Sequence, residues 1–154
     1  MIEAALTQLL RERSGLTPDG EGNYSIFPST QTDPVNTAMP RILYTIMDGD
    51  EDMTDDGPIG IVSMAIQLDI FTAKAIDGRL IVEKLRRPAN ATNEQDRGIN
   101  GYAGTIDNTQ IMLTTFGTRR VAMAVHIEGQ NQTVARNVLE LNTTYRELPE
   151  QNNE

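Results

Sequence analysis

Val62-Ser63-Met64-Ala65-Ile66-Gln67-Leu68-Asp69-Ile70-Phe71 is the cleanest alternation in the chain. In an extended backbone Val62, Met64, Ile66, Leu68 and Ile70 project to one side, and Ser63, Ala65, Gln67, Asp69 and Phe71 to the other. A strand with one apolar face needs a second layer on that face, and the sequence just beyond it supplies one. Thr72 is a residue type that caps helix N-termini, and Ala73, Ile76, Leu80, Ile81 and Leu85 then recur at helical spacing as far as Arg86-Arg87-Pro88. Gly78 weakens that helix by about 1 kcal/mol relative to Ala.

Before this strand, Arg41-Ile42-Leu43-Tyr44-Thr45-Ile46-Met47 is β-branched and aromatic and apolar on both faces, which predicts a central strand. The two strands are joined by Asp48 to Pro58, with six acids in nine residues ahead of a Gly-Pro turn. Six like charges repel one another, which favours a solvated, extended tip at the end of a hairpin. At the N-terminus, Ile2, Ala5, Leu6, Leu9 and Leu10 predict an amphipathic helix over residues 2–13, closed by Arg11, Arg13 and Ser14-Gly15. Residues 15–40 are rich in turn formers and read mostly as loop, with a short strand around Tyr24 to Phe27.

Further on, residues 89–104 are polar and Gly-containing and read as a mobile loop. Ile111 to Phe116 predicts a strand and Gly117-Thr118 a turn. Val121, Met123, Val125 and Ile127 then alternate against Ala122, Ala124, His126 and Glu128, with Met123, like Met64, on a core face. After Gly129-Gln130-Asn131-Gln132, the run Val134–Tyr145 places Leu139, Leu141, Thr143 and Tyr145 on one face. The expected fold is α+β: a mainly antiparallel mixed sheet with two helices packed on one face and the other face free. Residues 1–148 form one domain in this reading, and 149–154 a polar C-terminal tail.

Composition narrows the chemistry. The chain has 154 residues, 38% of them hydrophobic, no Cys and one His. That removes disulfides, thiolate nucleophiles and Cys-ligated zinc, and most His-based metal or catalytic arrangements. No run of eighteen apolar residues is present, and Met1-Ile2-Glu3 opens with an acid where a signal peptide carries basic residues, so a soluble intracellular product is expected. The formal net charge is −9, and all of the excess lies in residues 1–77, with 13 acids against 4 bases. A nucleic-acid reader should instead carry a basic face. Of the 13 basic residues only Lys74 and Lys84 are lysines; arginine is the cation favoured at protein interfaces, although codon bias explains the excess equally well.

Individual motifs point away from catalysis. Asp48, Asp50 and Asp52 have the alternate spacing of a calcium loop, but Met53 stands where that loop needs Gly and Ile59 where it needs a bidentate Glu. The acids Asp48, Asp50, Glu51, Asp52, Asp55 and Asp56 are therefore read as a partner-facing or lumen-facing loop, with no dedicated metal site. His126 alternates away from Val125 and Ile127 and has no second His, which suits a surface or interface histidine. Gly57-Pro58-Ile59-Gly60 is too short to cradle phosphate and reads as a turn. No catalytic residue, metal ligand or cofactor site is assigned.

Several stretches in order resemble the tail-completion proteins of long-tailed bacteriophages, also called tail terminators or tail-to-head joining proteins. They are Met1-Ile2-Glu3-Ala4-Ala5-Leu6, Ile26-Phe27-Pro28, the strand opening at Pro40 to Tyr44, Ala65 to Ala73 leading into a helix, and Leu139 to Glu147. The resemblance covers most of the chain; residues 89–120 are longer and more polar than the family pattern. It implies a homo-hexameric ring in the virion, assembled in the host cytoplasm, that caps the tail tube on one side and meets a neck or head-completion protein on the other. It further implies that DNA passes through the lumen without sequence-specific binding, and that there is no catalysis, cofactor or membrane. Two other readings stay open: a non-catalytic assembly module of another phage-derived particle, such as a neck or head-tail connector, and a small carboxylate-using hydrolase.

Overall fold

Ile2, Ala5, Leu6, Leu9 and Leu10 form the buried stripe of helix α1 (Ile2–Arg13), with Glu3 in its first turn and Arg11 and Arg13 in its last, as the helix macrodipole favours. The structure, a computed structural model, describes residues 2–30, 39–54, 57–126 and 133–149, without the side chains at 48, 50–54, 57–59 and 118–120. Six strands follow: β1 (Ile26–Pro28), β2 (Arg41–Thr54), β3 (Gly57–Thr72), β4 (Gly104–Ile106), β5 (Thr109–His126) and β6 (Thr133–Glu147). A second helix, α2 (Ala75–Leu85), lies between β3 and β4. They make one mixed sheet in the order β1-β2-β3-β6-β5-β4, parallel at β1–β2 and antiparallel elsewhere. The fold is α+β.

The register shows why the alternation at Val62–Phe71 dominates the fold. Ile66 pairs with Ile46 on β2 and Leu141 on β6, and Leu141 pairs in turn with Phe116 on β5. One apolar row therefore crosses four strands. A second row joins Tyr44, Leu68 and Leu139. Partners opposite each other in a ladder share a face, so these rows make the floor on which α1 and α2 lie. Leu9, Leu10, Val82, Leu85 and Ile99 complete the core, all of them fully buried or nearly so.

Besides the turns expected at Gly57-Pro58-Ile59-Gly60 and Gly117-Thr118, which lie within strands β3 and β5, four expectations need correction. Asp48 to Thr54 is not loop: β2 runs through it, with register shifts between Ile46 and Asp48 and between Glu51 and Met53, and the ladder reaches Thr54↔Gly57. Backbone hydrogen bonds are indifferent to side-chain charge, so the hairpin absorbs the acids as strand. Thr72 does not cap α2 but ends β3, fully buried, its Oγ1 donating to the Lys74 carbonyl at 2.7 Å. The helix starts two residues beyond Ala73, and its buried residues are Gly78, Val82 and Leu85. Ile76 and Leu80 are 53% and 56% exposed.

The third correction concerns residues 89–104, which are pinned against the core. Ile99 is fully buried and its N–H donates to the Leu85 carbonyl at 2.8 Å, closing the end of α2. Arg13 at the end of α1 reaches across to this segment, its Nη1 donating to the carbonyls of Ala89 (3.4 Å) and Gly98 (3.3 Å), with its guanidinium 5.9 Å from the Tyr102 ring centre. Gly98 has to be glycine, because a Cβ there would lie 2.4 Å from the Arg87 carbonyl oxygen, 2.5 Å from that of Lys84 and 2.7 Å from that of Leu85. The fourth is Met123, which is 39% exposed and pairs with Arg136 on the face away from the helices. On β5 the core face shifts at the irregularity between Phe116 and Arg120, so Ala122 and Ala124 take the helix side.

Candidate assembly surfaces

The acidic segment occupies the β2 arm of a hairpin that outruns the rest of the sheet. β3 pairs with β6 only from Val62 onward, whereas its pairing with β2 continues to Gly57. Asp48, Asp50 and Glu51 stand opposite Ala65, Ser63 and Val62, and Asp52 sits in the register shift after Glu51. Asp55 and Asp56 lie outside the described residues. Four of the six acids singled out in the sequence thus share one strand, at backbone positions set by β3.

The sheet face away from the helices carries a polar network that sequence reasoning missed. Asp69 has a side chain only 7% exposed, and it accepts from Nε and Nη2 of Arg136 at 2.8 and 2.5 Å. Its other oxygen accepts from Gln67 Nε2 at 2.9 Å. Phe71 lies between two guanidiniums, Arg41 at 5.0 Å and Arg136 at 5.8 Å from its ring centre, an arrangement favoured by the ring quadrupole. Phe71 and Arg136 are direct partners across β3 and β6. The only hint in the sequence was an acid placed between Leu68 and Ile70, a position that calls for a cation on the facing strand.

Beyond this network the same face carries mostly small polar residues, with the exposed Leu113 among them. A hollow of about 240 Å³ is bordered by Ser63, Ala65, Thr115, Asn142 and Thr144. Hydroxyls across it meet one another: Ser63 and Thr144 lie 3.3 Å apart. Both Asp69 oxygens are engaged within the network with Arg136 and Gln67. Among the described residues no group of three or more His, Cys, Asp or Glu side chains gathers to hold a metal ion. His126 is exposed at the end of β5.

A larger groove, about 980 Å³, opens between α2 and the β5–β6 arm. Ala122, Ala124 and Ala135 line it together with Ile76 and Met123, and Arg79 and Glu83 stand on the helical wall. α2 comes this close to β6 because Gly78 has no side chain: a Cβ there would be 2.5 Å from Asn137 Nδ2 and 2.9 Å from Thr72 Oγ1. The glycine that weakens the helix in isolation therefore seats it against the sheet. No family model matches this chain, and no curated protein matches it.

Proposed function

We propose that this protein is a structural subunit of a bacteriophage tail, a tail terminator that forms a homo-hexameric ring on the finished tail tube and joins it to the neck. The observation that carries the reading is the projecting β2–β3 hairpin, which brings acidic positions out beyond the body of a sheet that has one helix-covered and one polar face. Six copies at −9 each would carry about −54 formal charge. A ring of that sign repels DNA phosphates, so the genome slides through without sticking. The polar face, with its Ser, Thr and Asn hydroxyls and amides, suits a surface in contact with water.

The reading is tested by light scattering on the purified protein, followed by electron microscopy with and without isolated tail tubes. A hexamer, or a monomer that becomes hexameric on the tubes, supports it. A species that stays monomeric in both conditions overturns it. A ring that attaches only to portal or neck complexes would instead identify a head-tail connector component.

A further inference from the structure

We propose that the groove between α2 and the β5–β6 arm is the socket for the acidic β2–β3 hairpin of a second copy of this chain, so that the subunits join head to tail. This rests on the ring reading above and names the contact that closes the ring.

The sheet order supplies the geometry. β2 lies next to one edge and β5 next to the other, and the strands outside them, β1 and β4, are three residues long. The hairpin tip and the groove also lie toward opposite ends of the strands, since β3 leaves the tip at Gly57 and reaches the groove end at Thr72 opposite Ala135. One molecule cannot bring these two surfaces together. Two molecules can, and each new contact leaves a free hairpin and a free groove, the head-to-tail arrangement that gives a closed ring when the rotation per subunit divides the circle.

The groove has the character of a socket. Its Ala residues let another backbone approach closely, while Ile76, 53% exposed, offers apolar surface that no contact among the described residues covers. Its cations, Arg79 in the lining and Lys74 beside it, outnumber the one acid that lines it, Glu83, and so favour an acidic occupant. Arg79 lines it and Lys74 lies between its lining residues Ala73 and Ala75; neither makes a side-chain hydrogen bond or ion pair among the described residues. The hairpin carries six acids between Asp48 and Asp56. A DNA strand fits less well, because Glu83 also faces the groove and the cations are too few to follow a phosphate backbone.

Absence of cysteine from the chain gives a clean test. Thr54→Cys marks the hairpin and Ala124→Cys the groove, and the two single variants are mixed with a short bis-maleimide. The expected result is a cross-linked heterodimer from the mixture, no cross-link from either variant alone, and a ladder ending at hexamer from the chain bearing both. In parallel, Lys74→Glu with Arg79→Glu should abolish assembly, as should Asp50→Lys with Glu51→Lys and Asp52→Lys. Mixing these two reversed variants makes both contacts between unlike chains complementary, so an alternating hexamer should form, and carrying all five changes in one chain should likewise restore the ring. Thermal unfolding confirms that each variant is folded.

A wild type that is hexameric, with no heterodimer and unaffected by the charge reversals, overturns the socket and leaves the ring reading standing. A groove-reversed variant that still forms hexamers but no longer binds tail tubes overturns it in favour of a tube-facing groove. A wild type that stays monomeric with and without tubes overturns both.

Discussion

Removing either partner of the Asp69–Arg136 pair should cost far more than a surface ion pair would. The two charges approach to 2.5 Å with two donors on one oxygen. At an effective dielectric of about 20 the gross attraction at such a distance is about 7 kcal/mol. Dehydrating Asp69 takes back much of it, while Arg136, 32% exposed, keeps part of its water. A net coupling of about 1.5–3 kcal/mol remains, the range for hydrogen bonds to charged groups, against about 0.2–1 kcal/mol for exposed pairs. Asp69→Ala alone should cost about 2–4 kcal/mol, less than the 3–5 of a fully buried pair because Arg136 can turn toward solvent. The assay is urea unfolding of wild type, Asp69→Ala, Arg136→Ala and the double variant, closed as a cycle so that loss of the Arg136 stacking on Phe71 cancels. A coupling under about 1 kcal/mol, or one that vanishes in molar salt, would show that the pair is solvated and the reasoning wrong.

Leu68→Ala, in the central apolar row, should destabilise by about 2–5 kcal/mol, and Gln67→Ala by well under half of that; equal losses in thermal unfolding would refute the face assignment. Gly98→Ala should cost about 1–3 kcal/mol, since its methyl meets three carbonyl oxygens of the α2 terminus and backbone cannot yield as a side chain does. Burial raises the pKa of Tyr145 above its ordinary 10.0, with Glu147 and Glu3 adding to the shift. The native state then holds its proton where the unfolded chain has lost it, so stability should fall as pH rises past about 10; spectroscopic titration of tyrosinate, compared with Tyr145→Phe, checks this. Converting Asp50, Glu51, Asp52, Asp55 and Asp56 together to Asn or Gln should leave the fold intact while impairing ring formation or phage complementation; normal particles would reduce the hairpin to a solubilising turn, and a variant that fails to fold would make its carboxylates structural.

Where period-two alternation was unbroken, the sequence could be read through to register: Val62 to Ile70 and Leu139 to Tyr145 lie on the predicted faces, and so does the α1 stripe. Reading failed where local pattern and tertiary contact disagree. In α2 the eye follows Ile76 and Leu80, but the side that packs is the one carrying Gly78, because close approach to Thr72 and Asn137 outweighs apolar content. On β5 a backbone irregularity, invisible in composition, turns Met123 away from the helices and puts Ala122 and Ala124, both exposed, on the helix side. The 89–104 segment looked mobile because its anchors are main-chain carbonyls, which every residue possesses. As for the site, the acids were visible as a run, but the groove arises from two elements some fifty residues apart and has no signature in either.

Arg13 finds its acceptors 76 and 85 residues further along the chain, so this clamp on α1 cannot close until residues 89–98 have been made. At typical elongation rates of roughly 5–20 residues per second the wait is on the order of ten seconds, and a twelve-residue helix is only marginally stable alone in water. The contact that joins α1 to residues 89–98 thus closes late, after the partners of α1 that lie nearer in the chain, on β1 and at Tyr24, have been made. Weakening the Arg13 clamp should therefore leave the refolding rate nearly unchanged and accelerate unfolding. The lifetime of the folded chain, as distinct from its ability to fold, should then shorten when this guanidinium no longer ties α1 to residues 89–98, even though the buried stripe of Ile2, Ala5, Leu6, Leu9 and Leu10 still seats the helix.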